Sequence, residues 1–381
     1  MKKIAKKLLV LVIFLAMFSL FSFPSYAKDG LSLQIEPMWM GVKGLDTKVG
    51  DIFRYREEWN SATRTLNYGM SYDSIDANLN GGLTLRTELT YRKGPWGVGL
   101  SGWWFNSDGA MRGRVTTPEG SGSGYNENGV RMWDHTIVPL TNQLEASGLS
   151  PVNFWAKNQL GVWTADFFGL RTLAEKKEFS LDFLFGAKIG ALKNEQGMGQ
   201  NQRAYIYDGF SPGFDWDNRV SLSSNAKADS GLMGGPLLGI QGKMKIYKNF
   251  HLEALANQSL LFGKAKYSGL FRDTDDIWAV HVATNGYYPY NHYMYDGKFP
   301  FSEKEGIALP VTELKLKATY DLFKNISIGF GGFASVWWNA PVAPRWSMPS
   351  DWTSGEGTGW RLPDKTTLTF YGATASLTIQ F

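Results

Sequence analysis

Cysteine is absent from the 381 residues, which excludes disulfide staples and thiolate metal sites. Histidine is scarce: His135, His251, His281 and His292 are the four copies, so imidazole chemistry has few places to occur. No Gly-rich phosphate loop, G-x-S-x-G elbow or H-E-x-x-H pair is present. Long apolar runs are missing beyond residue 27, where nothing approaches the roughly 18 consecutive apolar residues of a membrane-crossing helix. Net charge disappears as well once the start of the chain is set aside. Of 39 Lys+Arg and 35 Asp+Glu, residues 1–27 hold four Lys and no acid, which leaves 35 bases against 35 acids. With no basic run to follow a phosphate backbone, nucleic acid is excluded as a partner.

The first 27 residues have the three parts of a secretory signal. Lys2, Lys3, Lys6 and Lys7 are followed by an apolar run over 8–23 and by Ser25-Tyr26-Ala27, a small-x-small cleavage pattern. The expectation is export with cleavage near Ala27, leaving 28–381 as one domain. What is abundant in that domain is aromatic and glycine: Trp 15, Tyr 17, Phe 24 and Gly 43 point to strands and turns rather than helices.

Period-2 alternation recurs along the chain. Leu83-Thr84-Leu85-Arg86-Thr87-Glu88-Leu89-Thr90-Tyr91-Arg92 is its cleanest stretch, and the ending Tyr371-Gly372-Ala373-Thr374-Ala375-Ser376-Leu377-Thr378-Ile379-Gln380-Phe381 repeats it. The pattern predicts ten strands: 31–39, 83–92, 96–104, 155–171, 179–192, 232–247, 250–266, 307–323, 326–338 and 366–381. A bulge is expected at Asp166-Phe167-Phe168, where the alternation of the fourth strand breaks. Twelve strands result if Asp51-Ile52-Phe53-Arg54-Tyr55-Arg56 in the 43–80 loop adds a hairpin to the sheet.

Short connections at 93–95, 174–178, 248–249 and 324–325 alternate with long ones at 43–80, 107–154, 193–231, 267–306 and 341–365. In 307–323 the even positions Leu314, Leu316, Ala318, Tyr320 and Leu322 are apolar, and the odd ones are Glu313, Lys315, Lys317, Thr319 and Asp321. A soluble sandwich would turn the charged face to water; a spanning barrel turns the apolar face to lipid and closes on itself. Two aromatic belts follow, with Tyr91, Trp96, Phe179, Tyr247, Phe250, Tyr320, Phe323 and Phe381 near the short turns and Trp39, Trp104, Trp155, Phe262 and Trp338 near the long loops.

On the strength of the leader, the hairpin meander, the long loops and the terminal aromatic strand, the chain resembles Gram-negative outer-membrane β-barrel proteins across its whole mature length. The resemblance implies an all-β, antiparallel up-and-down transmembrane barrel of about ten strands in the cell outer membrane. It implies short periplasmic turns and long extracellular loops, with outer-membrane lipid and lipopolysaccharide as surroundings. It also implies the barrel-assembly machinery as a partner, with Phe381 as the assembly signal.

Turning the polar face inward places Glu36, Glu88, Asp166, Asp182, Glu253, Glu313 and Asp321 in the lumen with Arg86, Arg92, Lys188, Lys243, Lys245, Lys315 and Lys317. Opposite charges on neighbouring strands attract. Either they form an ion-pair network filling a narrow barrel, or they line a wetted path. Inward glycines, Gly97, Gly99, Gly186, Gly190, Gly329 and Gly331, leave space that favours the path. The function expected is a passive porin-like channel for small solutes. The alternatives are a closed barrel displaying ligand-binding or adhesion loops and, further off, a hydrolase with a rim site using His281 or His135. Loop aromatics at 287–295 and Trp346, Trp352 and Trp360 suit a sugar or peptide, or pack over the barrel mouth. Asp273-Thr274-Asp275-Asp276 and Asp215-Trp216-Asp217-Asn218 lack the Gly and distal Glu of a calcium loop. No cofactor or dedicated metal is expected.

Overall fold

The computed structural model describes residues 30–45, 48–60, 63, 65–115, 124–125, 131–137, 145–146, 152–176, 178–207, 214–283, 286–347, 359–362 and 365–381. The leader, its cleavage site and Trp352 lie outside them. Among the described residues there is no helix. The strands are β1 Gly30–Lys43, β2 Lys48–Asn60, β3 Thr65–Asp76, β4 Gly82–Lys93, β5 Trp96–Val115, β6 Gly124–Tyr125, β7 Arg131–Ile137, β8 Glu145–Ala146, β9 Val152–Lys176, β10 Phe179–Tyr207, β11 Phe214–Asp229, β12 Met233–Tyr247, β13 Phe250–Ala283, β14 Gly286–Phe323, β15 Ile326–Ala340, β16 Arg345–Ser347, β17 Gly359–Arg361 and β18 Thr366–Gln380.

One antiparallel sheet closes into a ring, β1-β4-β5-β9-β10-β12-β13-β14-β15-β18 and back to β1. These ten positions are the ten strands predicted from the alternation. The closure is the pairing of the chain's last strand with its first, from Ser32 opposite Gln380 to Lys43 opposite Thr369, with the Phe381 N–H donating to the Leu31 carbonyl at 2.8 Å. No edge is left for lipid to strand without partners.

β11 is not an eleventh stave. β10 pairs with β12 from Phe179 to Gly190 and with β11 from Lys193 to Tyr207, and β13 pairs with the same two in turn. β11 and β12 are therefore two lengths of one returning strand, interrupted at residues 230–232. Gly231 takes φ +59 there, a conformation that favours glycine. Ser230 accepts the Leu192 N–H on its hydroxyl at 2.8 Å and returns its own N–H to the Leu192 carbonyl, so the ladder crosses the break intact.

Two expectations are corrected by the pairing. The extra hairpin does form, as β2 and β3, but in a separate five-stranded sheet with β6, β7 and β8, so the barrel does not widen to twelve. The bulge is not at Asp166, which sits in regular register opposite Lys188. It falls at Leu173, because Leu181 pairs with Ala174 and Asp182 already with Thr172. Phe168 points inward and Phe167 outward, so two adjacent phenylalanines serve the two faces without breaking alternation.

The apolar wall faces outward: Leu83, Val98, Phe167, Leu238, Leu314, Leu316 (55% exposed) and Phe330 (68%) have no protein cover. Exposure of this many large apolar groups is tolerable only against hydrocarbon. The lower belt of Tyr91, Trp96, Phe179, Tyr247, Phe250, Tyr320 and Phe323 is exposed at the short turns, and Trp39, Phe262 and Trp338 above it. On β9 the belt residue is Trp163, which pairs with Trp104; Trp155 lies farther out, opposite Arg112. Spanning takes about 9–11 residues, yet β13 has 34 and β14 38. Much of what reads as loop, 193–231 and 267–306 in particular, continues the barrel wall outward as strands. Beyond the membrane both faces of a strand meet polar surroundings, so the apolar alternation that marks a strand in sequence fades.

Candidate functional site

Inward side chains fill the ring in layers. The layer nearest the periplasm is a polar vestibule of about 350 Å³ whose lining includes Glu88, Arg92, Asp182, Lys243, Glu253 and Phe381. Here Arg92 binds Asp182 across the lumen, and Asp182 also accepts from Thr172 at 2.9 Å. Lys243 reaches Glu253 at 3.2 Å, and Glu253 is shared with Lys317 at 2.9 Å. Lys245 stands at the exposed rim, and Asp321 pairs there with His251 at 2.8 Å.

The next layer is a buried ion network. Lys188, with no exposed surface, lies between Asp166 at 2.8 Å and Glu313 at 3.0 Å. Glu313 in turn accepts from Asn257 at 3.1 Å and from the indole N–H of Trp103 at 2.9 Å. Arg86, 2% exposed, is 3.5 Å from Glu88 and 4.0 Å from Glu36, and its guanidinium lies over the Phe333 ring. Lys315 faces Glu36 at 3.6 Å and Glu88 at 3.7 Å, while Lys317 donates to Gln34 at 2.8 Å.

These bonds run across the barrel. Trp103 on β5 and Glu313 on β14 are five strands apart in a ring of ten, on opposite walls. A 2.9 Å hydrogen bond thus ties opposite walls together at that level. Predicted lumen residues from five strands, β1, β4, β9, β10 and β14, meet in this layer; Trp103, which joins it, is visible in sequence only as half of Trp103-Trp104, a pair that must place one indole on each face.

Above the ions, Trp103 packs edge-on against Phe333 and Phe370 at 5.6 and 5.7 Å, and Phe370 against Phe105 and Trp337. The inward glycines do not open a path. Phe168 covers Gly99, Leu170 and Arg92 crowd Gly97, and Thr319 and Ser376 crowd Gly329. At these three positions the space that the missing side chain provides is taken by a neighbouring side chain.

The outermost seal is a strap. β15 ends at Ala340 after Asn339 takes φ +57, and Pro341, Ala343 and Pro344 are buried. The Ala343 N–H donates at 2.9 Å to Asn194 on β10. Asn194 is itself fixed by donating to Asn158 Oδ1 and the Gln159 carbonyl. The segment after the strap carries Trp346, stacked on Phe271 at 4.1 Å and edge-on to Trp360 at 5.5 Å. Two of the last loop's aromatics, Trp346 and Trp360, therefore pack together against Phe271.

In the extension beyond the membrane, Asp273 and Asp275 point inward. Burial raises both carboxyls above the usual range, and for Asp273 the neighbouring Asp275 adds to it. Burial and Glu305 push the Tyr267 phenol up to about 12. His292 pairs with Asp276 at 2.6 Å. The side chains of His135 and His281 lie outside the described residues, as do those of Asp215, Trp216, Asp217 and Asn218. Among the described residues no group of three metal-ligating side chains converges.

A closed ten-stranded wall with an apolar exterior, two aromatic girdles and a polar, ion-paired interior defines the class: a Gram-negative outer-membrane β-barrel. No family model and no curated protein matches the chain. Among solved structures, the outer-membrane protease OmpT of Escherichia coli is similar at 12% identity and a TM-score of 0.41, covering 94% of this chain and 99% of that one. The toluene transporter TbuX of Ralstonia pickettii is similar at 9% and 0.22, over 93% and 90%. A Pseudomonas aeruginosa FadL homologue stands at 10% and 0.22, over 93% and 91%. At these values the activities of those proteins say nothing about this one.

Proposed function

We propose that the protein is a closed outer-membrane barrel that serves as a non-enzymatic surface receptor, with the extracellular extension as its working part. The observation that carries this is the Trp103–Glu313 hydrogen bond between opposite walls, in a layer where Lys188, Glu36 and Glu313 have no exposed surface. A porin-like path needs a wetted lumen, and here aromatic rings and ion pairs fill the space that water would take. The barrel then acts as a rigid stem, with the cross-lumen ion pairs holding its walls at a set spacing. The strands of the extension continue those walls, so whatever they display is held at a fixed geometry above the membrane.

The test is conductance of the refolded full chain in a planar bilayer. The proposal expects no ion-conducting steps. Stable open-channel conductance would restore the porin-like reading, and its alteration by Lys315→Glu or Lys317→Glu would put those residues in the path. Hydrolysis of a peptide or lipid substrate by the refolded protein, lost when His281 or His135 is replaced, would instead favour the rim-site enzyme.

A further inference from the structure

We infer that the interior of the extracellular extension is a binding site for a neutral carbohydrate, an inference that rests on the receptor reading and supplies its ligand class. Its floor is apolar and aromatic: Phe154, Leu222 and Phe271 are buried together, with Trp346 and Trp360 packed against them. Around that floor two buried polar side chains lack protein partners. Gln200, 2% exposed, points inward from β10, and neither its Oε1 nor its Nε2 has a hydrogen bond. The Trp346 indole N–H is likewise buried and unpaired. In the register of the wall Gln200 is in line with Leu222 and then Asp273, and the next row outward carries Asp275. Among the described residues neither aspartate has a hydrogen-bond or ion-pair partner.

Leaving the buried Gln200 amide and Trp346 indole unpaired costs more than leaving exposed groups so, and the chemistry of these groups, with the part-exposed aspartates, selects what could pair with them. Two carboxylates exclude an anion. A metal cation could take Gln200 Oε1 but would leave Gln200 Nε2 and the Trp346 indole N–H, both donors, unpaired. A purely apolar ligand satisfies none of them. A sugar hydroxyl both donates and accepts, so it can donate to Asp273, Asp275 and Gln200 Oε1 and accept from Gln200 Nε2 and Trp346 Nε1. The C–H face of a pyranose ring suits an aromatic floor. The strap lies on the barrel side of the site, so a free oligosaccharide or the end of a surface polysaccharide chain would reach it from the outer side.

The experiment uses the full chain refolded in detergent, with tryptophan fluorescence titrated by neutral hexasaccharides of glucose, mannose and galactose, by dextran, and by spermine as a cationic control. The expected result is saturable binding of at least one neutral saccharide. Gln200→Glu should lower its affinity at least tenfold and Asp273→Asn several-fold, with heat-modifiable gel migration showing that both variants remain folded. Binding of the hexasaccharide marks a free sugar as ligand, and binding of dextran alone marks a polymer; either supports the site. No saturable saccharide binding, tighter binding of spermine, or affinity unchanged in folded Gln200→Glu overturns it. Conductance reads the receptor proposal separately: a conducting barrel that still binds sugar would sink the closed lumen and keep the sugar site.

Discussion

Replacing Lys188 by Met tests the ion network most severely. Lys188 has no exposed surface and bridges Asp166 at 2.8 Å and Glu313 at 3.0 Å. At an effective dielectric of about 20, each contact is worth about 5 kcal/mol of gross attraction. Desolvation of the three charges cancels most of it, so the network's net contribution is small while it is complete. Lys188→Met leaves the desolvation of two carboxylates with no cation between them. Among the described residues Glu313 keeps Trp103, Asn257 and Ser335, and Asp166 keeps the Ser101 hydroxyl at 3.2 Å. Breaking a buried network in this way costs about 3–5 kcal/mol, a shift of about 1–2.5 M in the urea midpoint for an m value of about 2–3 kcal/mol/M. The assay is urea unfolding in detergent micelles, followed by tryptophan fluorescence. Adding Asp166→Asn and Glu313→Gln to Lys188→Met should return most of the loss, because no net charge then remains buried. A single variant within 1 kcal/mol of the parent would refute the reasoning and indicate that water reaches Lys188.

The remaining predictions use the other layers. Deleting Phe381 removes the N–H that pairs with Leu31 and should lower the yield of membrane-inserted protein; normal yield would count against its role as assembly signal. Because the chain has no cysteine, Ala343→Cys gives a single thiol in the strap. Asn194→Ala, which leaves the residue-343 N–H without its acceptor at a cost of about 1–3 kcal/mol, should speed labelling of that thiol, and an unchanged rate would mean that Asn194 does not hold the strap. Burial raises the Asp273 and Asp275 carboxyls from their ordinary place in the usual carboxylate range, so the folded extension binds their protons more tightly than the unfolded chain does. The extension is then most stable below that range and loses stability as pH rises through it towards the raised values. Hydrogen-exchange protection of the β11–β13 ladder, corrected for intrinsic rates, should fall over that window and fall less in Asp273→Asn.

How much of this was legible in the sequence follows from what constrains each part. The lipid-facing wall was readable because hydrocarbon demands an apolar residue at every second position, so Leu83 to Arg92 and Tyr371 to Phe381 announce their faces without help. Ring closure followed from the same demand. Contacts across the lumen were not readable, because which inward residues meet depends on closure and stagger rather than on neighbours in the chain. The charges were identifiable as inward, but not that Lys188 would reach Glu313 three strands away. The strap left a trace in Ala340-Pro341-Val342-Ala343-Pro344, an uncharged run after a strand end where a solvated loop would carry polar groups. The outer strands left little, since nothing outside the membrane enforces alternation. The misplaced bulge has a similar origin: Phe167-Phe168 looks like a break only if both rings are assumed to seek lipid, and Phe168 instead fills the space over Gly99.

The central claim is that the barrel is closed at the level of Trp103 and Glu313, and single-protein conductance across a planar bilayer tests it most directly. The intact chain should be silent, and Trp103→Ala combined with Glu313→Ala, which removes the link between opposite walls, should produce a leak. Steady ion conductance by the intact protein would contradict the account.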